Sequence, residues 1–588
     1  MTEHEKLPQA KHTQPGSLAA MQWVEQSDIP PPVINTLCAE LDIHPGTAQV
    51  LAGRGYQDAQ SAHDFLHPGP SGLHSPFLLK GVREAVQRII RAIEQYEKIL
   101  IFGDYDVDGT SGTTLLFGFL KRLGARVQYF IPNRVDDGYG FTEEALAKIR
   151  AWDVDLLITV DHGSTAHGAA EALGRMGVEL IITDHHQFDT QVPQALALVN
   201  PVQPGCPYPF KELSATGVVY KLVTALDATL DEMGYYRTRG LRRTEPEYFL
   251  DLVAMATVAD MSPLVGENRV LVRMGLEVLN THLKPGLSGL VKESRVRGPI
   301  TPSVIAFKLA PKINALGRID DPRMAMKLLL SRSYTEGRRL ARRMADINRE
   351  RQVIEREAFN RAQEQVAGMD GHAGLVLVGH DWHPGVVGPI ATRIAYASGR
   401  PTVVLTPQPV DAMGGSARSQ GVSVLGMLDD CAGLLERYGG HPNACGLSMP
   451  AGNLADFTRH FRDVAERHAG SAEDVPRELR IEAWVPPQAL NGSLLNELLR
   501  LAPFGYGNPE PVLAVRGLAV NGPTIFKSRH LRFHVVSHDG GEMEAYAWNH
   551  SEWELRCTQD YDIAFVPQIP PSHHMPPQIR VLDIKQSA

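Results

Sequence analysis

The sequence is poor in cysteine, with five residues in 588 and none in a CxxC spacing. This scarcity argues against a disulfide framework and against a structural zinc site, so we expect reduced thiols. Long apolar runs are also missing, since no run approaches the roughly 18 residues that a membrane span requires. The polar opening segment, residues 1–17, lacks the apolar core of a signal peptide. These absences predict a cytoplasmic protein without a membrane anchor.

The chain has no overall excess of positive charge. Lys and Arg number 58 against 67 Asp and Glu, which gives a net charge of −9. A negative balance opposes nucleic-acid binding, because phosphate contacts need cations. Basic residues nevertheless cluster between Arg318 and Arg361, which favours a local surface for nucleic acid. A solvated helix face is the alternative for any single arginine in this cluster.

Three apolar, β-branched segments each end in acidic or histidine residues. They are ILIFGDYDVDG from Ile99, LLITVDHGS from Leu156 and LIITDHHQ from Leu180. Each segment is short and precedes a helical pattern, which predicts buried parallel strands that carry their polar residues to one sheet edge. A further acidic residue, Asp260, ends an apolar, helix-like segment that starts at Asp251. The sequence therefore predicts one crevice lined by carboxylates and imidazoles.

Carboxylates and imidazoles favour Mn²⁺ or Mg²⁺ as the bound metal. The set is large enough for two ions, and hydrolysis of a phosphoester is the chemistry that such a pair supports. The predicted ligands are Asp106, Asp108, Asp161, His185, His186 and Asp260. An aspartate at a strand end is individually more often a helix cap or a turn residue, so the prediction depends on the coincidence of several.

Hydrophobic periodicity predicts an α/β protein in five segments. They are a polar tail (1–32), a parallel-sheet catalytic domain (33–330), a long connector helix (331–368), a second, smaller α/β domain (369–470) and a small oligonucleotide-binding (OB) type β-barrel (471–588). In the second α/β domain, GGSARS predicts a glycine-rich loop in which Ser416 and Arg418 could hold a phosphate, with a plain turn as the alternative. Candidate contacts to a single strand in the barrel are Lys527, Arg529, Arg532, Phe533, Tyr546 and Trp548.

An ordered series of motifs resembles the DHH phosphoesterase superfamily and, within it, the RecJ exonuclease family. The resemblance covers most of the chain, and a series of motifs is far more specific than the DHH triplet alone. The motifs are GDYDVDGTS (103–111), IPNRVDDGYG (131–140), DHH (184–186), KLAPKINALGRID (308–320), HPGVVG (383–388), GGSARS (414–419), ERYGGHPNACGLS (436–448) and PFGYGNPEP (503–511). One position separates branches of the superfamily: pyrophosphatases and small-oligonucleotide phosphatases usually carry His where this chain has Phe102.

The resemblance implies a DHH-type catalytic domain, a DHH-associated substrate-binding domain and an OB-type barrel. It implies 5′-to-3′ hydrolysis of single-stranded DNA to 5′-mononucleotides, with water as the nucleophile, in DNA repair and recombination. Single-stranded DNA is thus the expected partner of a monomeric enzyme. A single-strand-binding protein and a helicase are candidate protein partners.

The resemblance also assigns roles to individual residues. Arg134 would join Ser416 and Arg418 around the 5′-terminal phosphate. His383 and His441 would lie beside the cleft, His383 as a catalytic residue near the scissile phosphate, with packing or loop capping as the alternative for both. Further roles, orienting neighbouring ligands or completing the second metal site, would fall to Asp104 and Asp184.

Two other functions stay open on the sequence. A DHH phosphodiesterase for short oligonucleotides or cyclic dinucleotides would share the metal ligands, but the barrel and Phe102 argue against it. A non-catalytic DNA-binding scaffold of the same fold would have lost ligands, whereas the ligand set here is intact.

Overall fold

The computed structural model describes residues 21–26, 29–133, 140–188, 191–469, 478–536, 540–568 and 576–587. Contacts divide the chain into two compact units. The catalytic unit comprises Asp64–Ser471 and Ala502–Pro509, and the terminal unit comprises Met1–His63, Ala472–Leu501 and Glu510–Ala588. None of the helices in the described ranges combines the length and apolarity that crossing a lipid bilayer needs. All five cysteines fall within these ranges as free thiols, of which Cys431 and Cys445 are buried and Cys557 is exposed.

The first elements of the chain belong to the terminal unit. They are strand β1 (Gln22–Glu25), helices α1 (Pro31–Leu41) and α2 (Pro45–Gly53), and the first part of α3 (Ala59–Leu66), within which the boundary between the units falls. Strand β1 pairs in parallel with Glu478–Ile481, and Arg54 forms an ion pair of 2.8 Å with Glu482. The sequence prediction is therefore wrong in two respects: residues 22–25 are a strand within the expected polar tail, and residues 33–63 pack with the C-terminal part of the chain.

A five-stranded parallel sheet forms the centre of the catalytic unit. Its strand order is β3-β2-β4-β5-β6, and its flanking helices cover both faces with apolar side chains. The elements are α4 (Val82–Glu94), β2 (Ile99–Gly103), α5 (Val107–Arg122), β3 (Val127–Phe130), α6 (Glu143–Trp152), β4 (Leu156–Val160), α7 (His167–Arg175), β5 (Glu179–Thr183), β6 (Ala197–Val199) and α8 (Ala215–Glu232). The three predicted apolar strands are confirmed as neighbours in this sheet.

A helical region follows the sheet. It contains α9 (Tyr235–Arg239), α10 (Leu250–Ala259), α11 (Gly266–Thr281), α12 (Pro285–Glu293), α13 (Pro302–Val304), α14 (Ala310–Asn314), α15 (Leu316–Ile319), α16 (Arg323–Leu329) and α17 (Tyr334–Ala367). The predicted connector is confirmed as α17, which has 34 residues. Ser333 caps its first turn through the backbone N–H of Glu336, and buried Leu340, Met344 and Ile347 lie on one face.

The second α/β part of the catalytic unit is built on a mixed sheet of order β10-β11-β9-β8-β7. Its elements are β7 (Leu375–Val378), α18 (Pro384–Ser398), β8 (Thr402–Gln408), β9 (Ala412–Arg418), α19 (Val424–Asp430), β10 (Arg437–His441), β11 (Ala444–Pro450) and α20 (Leu454–Ala469). The predicted GGSARS loop is wrong, because the first five of these residues lie in β9. Glycine suits this central strand, since a Cβ on Gly415 would meet the Val404 carbonyl oxygen at 2.0 Å.

A closed barrel completes the terminal unit. Strands β14, β15, β16, β18 and β17 pair in that order, and β14 pairs back with β17 to close the ring. The elements are β12 (Glu478–Ile481), β13 (Ala483–Trp484), α21 (Gly492–Leu499), β14 (Leu513–Phe526), β15 (His530–Val536), β16 (Glu542–Ala547), β17 (Asp560–Gln568) and β18 (Gln578–Gln586). The barrel prediction is confirmed.

Candidate metal centre

The carboxyl edge of the parallel sheet collects the predicted metal ligands. Asp106 caps α5 by accepting the backbone N–H groups of Asp108 and Gly109 at 2.9 and 3.1 Å. Asp161 follows β4 directly, with φ of +69°, a left-handed conformation that aspartate adopts more readily than most residues. The DHH triplet follows β5, and Asp260 ends α10. The parallel sheet thus brings these side chains together, as the sequence predicts.

Three groups of side chains are close enough to hold an ion. Within each group the candidate ligand atoms lie within 4.8 Å of one another. The groups are Asp161 with His185 and His186, Asp108 with His185 and Asp260, and Asp104 with Asp106 and Asp161. Asp161 and His185 each belong to two of these groups, so the three groups form one continuous cluster.

Two buried atoms at the centre of this cluster are suited to hold a cation. Asp161 Oδ1 and His185 Nε2 have no hydrogen-bond partner among the described residues, although they lie only 3.3 Å apart. Buried polar atoms without partners cost about 1–3 kcal/mol each, so such pairs are rare without a bound ion or water. The donor set of carboxylates and imidazoles therefore fits Mn²⁺ or Mg²⁺.

The electrostatics of the cluster also favour a cation. Burial, followed by the charges of Asp106 and Asp108, raises the pKa of Asp161 well above its ordinary value. Burial and the charge of Asp108 likewise raise the pKa of Asp260 to about 7. Crowded carboxylates repel each other in a buried site, and a divalent cation would remove that repulsion.

Asp184 supports the two histidines that follow it. Its carboxylate accepts the backbone N–H groups of Ser164, His185 and His186 at 2.9, 2.8 and 3.2 Å, and it lies 2.8 Å from Nδ1 of His186. Burial alone would raise the pKa of Asp184, but these hydrogen bonds outweigh it and lower the pKa. Burial would lower the pKa of His186, yet the bond to Asp184 raises it to about 9. To act as a metal ligand, His186 would have to lose a ring proton, a loss that a divalent cation in the cluster would favour.

Several residues that form hydrogen bonds to the ligands or to the neighbouring backbone were given no role by the sequence. Asp108 accepts backbone N–H groups of Ala215 and Thr216 at 2.7 and 2.8 Å, at the start of α8. Asn314 accepts the N–H of Val107 at 3.0 Å, and Asn200 donates to the carbonyl of His186 at 3.0 Å. Asn314 stands in one of the motifs quoted above, which is the only sequence signal for this role.

Phe102 belongs to an apolar cluster of the catalytic unit and not to the ligand groups. Its fully buried ring packs against Phe130, Phe141 and His162, at centroid distances of 5.1, 4.8 and 4.5 Å. His162, although next to Asp161, contacts the Phe102 carbonyl oxygen at 2.9 Å, and burial lowers its pKa to about 4. Neither residue is therefore available as a metal ligand.

The predicted phosphate contacts Ser416 and Arg418 lie on one face of β9. Both side chains face Gly388 in α18, where a Cβ would stand 3.4 Å from each, so the glycine leaves space in front of them. Arg418 donates to the carbonyls of Ala417 and Cys445 at 2.8 and 3.2 Å and has no carboxylate partner among the described residues. A half-buried guanidinium with no carboxylate partner in the described ranges is suited to an anionic ligand.

The other predicted substrate contacts have different outcomes. His383 caps α18, because its Nδ1 accepts the backbone N–H of Gly385 at 3.0 Å; the capping alternative is what the structure supports, and Nε2 carries the ring proton. His441 is exposed at the end of β10, an edge strand. Arg134 lies outside the described residues.

Helix α18 is linked by close packing to residues 104–106 between β2 and α5, which we call the metal loop. Gly317 in α15 contacts Tyr105, where a Cβ would lie 2.2 Å from the ring. The adjacent Arg318 donates to the Gly385 carbonyl at 3.0 Å. The start of α18, and with it the space before Ser416 and Arg418, is thereby held next to the loop that carries Asp104 and Asp106.

The aromatic residues of the barrel divide into core and surface. Phe533 is fully buried, so it is excluded as a stacking platform. The rings of Tyr546 and Trp548 are stacked at 6.1 Å, and Phe526 contacts Trp548 edge-on at 5.6 Å. Trp548 is 37% exposed, which leaves an aromatic surface on which bases could stack.

The sequence matches three known domain families in order: DHH family, N-terminal domain (98–257), DHHA1 domain (371–467) and RecJ OB domain (481–574). The single-stranded-DNA-specific exonuclease RecJ of Dickeya dadantii is 33% identical over 88% of this chain and 92% of its own length. The Bacillus subtilis protein of that name is 36% identical over 82% of this chain, but only 60% of that relative is covered.

Solved structures agree with these matches. The crystal structure of RecJ in complex with Mn²⁺ from Thermus thermophilus is 29% identical, with a TM-score of 0.79 over 96% of this chain and 80% of that one. The corresponding complex with Mg²⁺ gives a TM-score of 0.73. On the motifs, the architecture and these relatives together, the chain belongs to the RecJ family of single-stranded-DNA-specific exonucleases.

Proposed function

We propose that this protein is a metal-dependent exonuclease that degrades single-stranded DNA from the 5′ end to 5′-mononucleotides. The observation that carries the proposal is the pair of partnerless buried atoms, Asp161 Oδ1 and His185 Nε2, within a cluster of carboxylates. Such a centre is built for divalent cations and for a phosphodiester substrate. The relatives named above are single-stranded-DNA-specific exonucleases, and the two structures of Thermus thermophilus RecJ are complexes with Mn²⁺ and Mg²⁺.

Two ions would be held by Asp104, Asp106, Asp108, Asp161, His185, His186 and Asp260. When bound, they would supply an activated water and stabilise the charge that develops on the phosphate. Asp161 and His185 would each be available to more than one ion position, since each belongs to two of the ligand groups. Asp184 fixes the ring of His186, and the first turn of α8 fixes the carboxylate of Asp108.

The direction of cleavage follows from where the strand end is bound. Ser416 and Arg418 would bind the 5′-terminal phosphate in the space before Gly388, with Arg134 as an additional contact. Because α18 is packed against the metal loop through Arg318, the scissile bond would be measured from that end. His383 would donate from Nε2 to a phosphate oxygen, and His441 would contact the strand beside it.

The barrel would supply a further binding surface for single-stranded DNA. Tyr546 and Trp548 offer stacked rings for bases, which every base can use irrespective of sequence. This surface favours long single strands over the short oligonucleotides and cyclic dinucleotides of the alternative function. We further propose a monomeric cytoplasmic enzyme of DNA repair and recombination, supplied with strands by a helicase and a single-strand-binding protein.

The test uses the full chain with strands labelled at either end. Incubation with Mn²⁺ or Mg²⁺ should release labelled mononucleotide immediately from a 5′-labelled strand and only late from a 3′-labelled one, and chelation should stop both. Duplexes and a cyclic dinucleotide should persist. Binding without cleavage would instead identify a scaffold, and rapid cleavage of the cyclic dinucleotide would identify the small-substrate phosphodiesterase.

A further inference from the structure

A basic groove lies between helices α12 and α17, within the catalytic unit but formed by none of the residues assigned above. It is a cavity of about 480 Å³ whose lining includes Lys292, Tyr334, Arg338, Arg339 and Arg342. The volume falls within the range of small-ligand sites, roughly 300–1,000 Å³. The arginines belong to the basic cluster that the sequence places between Arg318 and Arg361, for which the proposed function gives no role.

The groove results from an unusually close crossing of its two helices. A Cβ on Gly289 would lie 2.6 Å from the backbone of Gly337, and a Cβ on Gly337 would lie 2.6 Å from the Pro285 carbonyl oxygen. Side chains at these positions would force the helices apart. The crossing makes one face of each helix contribute to the cavity, with lining residues at one-turn spacing on both.

The charge around the groove is unbalanced. Glu293 is shared by two guanidinium groups, at 3.4 Å from Arg338 and 4.0 Å from Arg342. Arg339 lies 4.0 Å from Glu336, and Lys292 has no ion-pair partner within the described residues. Arg338, Arg339 and Arg342 remain 50%, 72% and 63% exposed. Four cations thus face two carboxylates, in a protein whose net charge is −9.

Tyr334 adds an aromatic surface to the rim. Its side chain is 64% exposed at the first turn of α17. An aromatic face beside guanidinium groups matches a nucleotide, because the base can stack while the phosphate receives paired N–H donors. An acidic protein segment would use the arginines but would leave the tyrosine without a specific role.

We infer that this groove is an accessory site for single-stranded DNA, separate from the metal centre. Arg338, Arg342 and Lys292 bind phosphates of the strand, and Tyr334 stacks on a base. Glu293 holds the two guanidinium groups in place. The inference rests on the proposed function for its substrate, and it predicts that the site affects long strands that reach the groove and leaves very short ones unaffected.

The test compares the double variant R338A/R342A with R459A/R467A in the full chain. The control removes the same charge from two exposed arginines of α20, which pair with Asp456 and Asp430 at 2.7 and 3.5 Å. Hydrolysis is measured on strands of about 6 and about 60 nucleotides. Binding of the long strand is measured at several salt concentrations by fluorescence anisotropy, with Ca²⁺ in place of Mn²⁺.

The groove variant should raise KM for the long strand about tenfold and leave kcat and KM for the short strand unchanged. Its plot of log Kd against log salt should be shallower by roughly 1.4, since each single-strand phosphate contact contributes about 0.7 to the slope. Tyr334→Ala should weaken binding with an unchanged slope, and Tyr334→Phe should restore it. The control should match the wild type in every measurement.

Groove and control variants with the same KM and salt slope would overturn the inference. The inference would also be overturned if R338A/R342A lost the binding of an acidic peptide but bound DNA as the wild type does. The groove would then be assigned to a protein partner. The proposed function is tested separately by the wild type on the short strand. If the wild type fails to hydrolyse that strand, the proposed function fails, while the binding slope still decides the role of the groove.

Discussion

Replacing Asp161 by asparagine should have opposite effects on activity and on stability. The amide side chain would keep the size of the carboxylate and tolerate the positive φ of this position, but the change would remove the charge that both proposed ion positions share. We expect loss of hydrolysis by at least three orders of magnitude. In the metal-free protein, however, the same change removes a carboxylate whose pKa is raised by burial and by neighbouring aspartates.

The size of the stabilisation follows from the carboxylate spacing. Two unit charges 4.8 Å apart, the widest separation within a ligand group, repel by about 3.5 kcal/mol at an effective dielectric constant of about 20. Partial protonation reduces this value, so we expect a gain of about 1–3 kcal/mol near pH 8. At roughly 2–4 °C per kcal/mol, the value for domains of about 150–250 residues, the transition should rise by about 2–12 °C, and by less in a unit as large as this one.

The difference in stability between Asp161→Asn and the wild type should depend on pH in a direction that can be worked out. A carboxyl whose pKa is raised in the folded protein stabilises the fold below the unfolded pKa, and this contribution is lost as pH rises through the folded pKa. The advantage of Asp161→Asn should therefore be small near pH 4 and grow toward pH 8. Differential scanning calorimetry with chelator, combined with circular dichroism, measures it.

Asp184 provides the matched comparison. It is one of the buried aspartates at the same sheet edge, but its pKa is lowered by the hydrogen bonds it accepts. Asp184→Asn should destabilise the metal-free protein by about 2 kcal/mol or more, because charge-assisted hydrogen bonds are lost. If Asp161→Asn lowered the transition as much as Asp184→Asn, or kept full turnover, the assignment of Asp161 as a crowded metal ligand would be refuted.

Three further predictions concern the substrate and the metal. Arg418→Ala should raise KM for 5′-phosphorylated strands by roughly 10- to 150-fold, the equivalent of one charged hydrogen bond, with a smaller effect on 5′-hydroxyl strands. Gly388→Val should have the same effect, because the valine side chain would fill the space before Arg418. Equal effects on both substrates would make Arg418 a general backbone contact. The double variant Tyr546→Ala with Trp548→Ala should raise KM for long strands about tenfold or more, because each stacked base contributes about 1–3 kcal/mol. The kcat on short strands is the control. An unchanged KM would show that the barrel surface does not bind the strand. Mn²⁺ at about 100 times its Kd should stabilise the wild type against unfolding by about 2.7 kcal/mol. At a fixed Mn²⁺ concentration the stabilisation should be smaller at pH 6 than at pH 8, because the ligands bind the ion in their deprotonated form. Equal stabilisation of Asp161→Asn would place the ion elsewhere.

The parallel sheet and its ligands could be predicted because their signals are local. Apolar, β-branched segments such as residues 99–103 and 156–160 are buried on both faces, and the polar residues follow at their carboxyl ends. The connector helix α17 carries its own signals too, with a serine cap and an apolar stripe over 34 residues. The ligands then come together because the carboxyl ends of parallel strands lie at the same edge of the sheet.

The errors concern contacts between residues far apart in the chain. The backbone donors that fix Asp108 come from positions 107 and 108 residues further along, and no local pattern announces them. GGSARS reads locally as a loop because glycine usually marks turns, whereas here it allows a central strand to pass close to its neighbour. The short strand β1 cannot be predicted from its own residues, because its partner is β12.

The two compact units alternate along the chain, so parts of the terminal unit are synthesised long before the residues that they contact. The first helices of the terminal unit lie 453 positions from a partner such as Glu497, so they leave the ribosome long before it exists. At about 5–20 residues per second, this interval is roughly 20–90 s. Meanwhile the catalytic unit can assemble almost completely, except for residues 502–509, whose Tyr506 carbonyl accepts the N–H of Leu264 at 2.7 Å. Nascent chains should therefore hold an unpartnered amino-terminal segment for most of translation, which makes it the part of the molecule most exposed to proteases and chaperones before release.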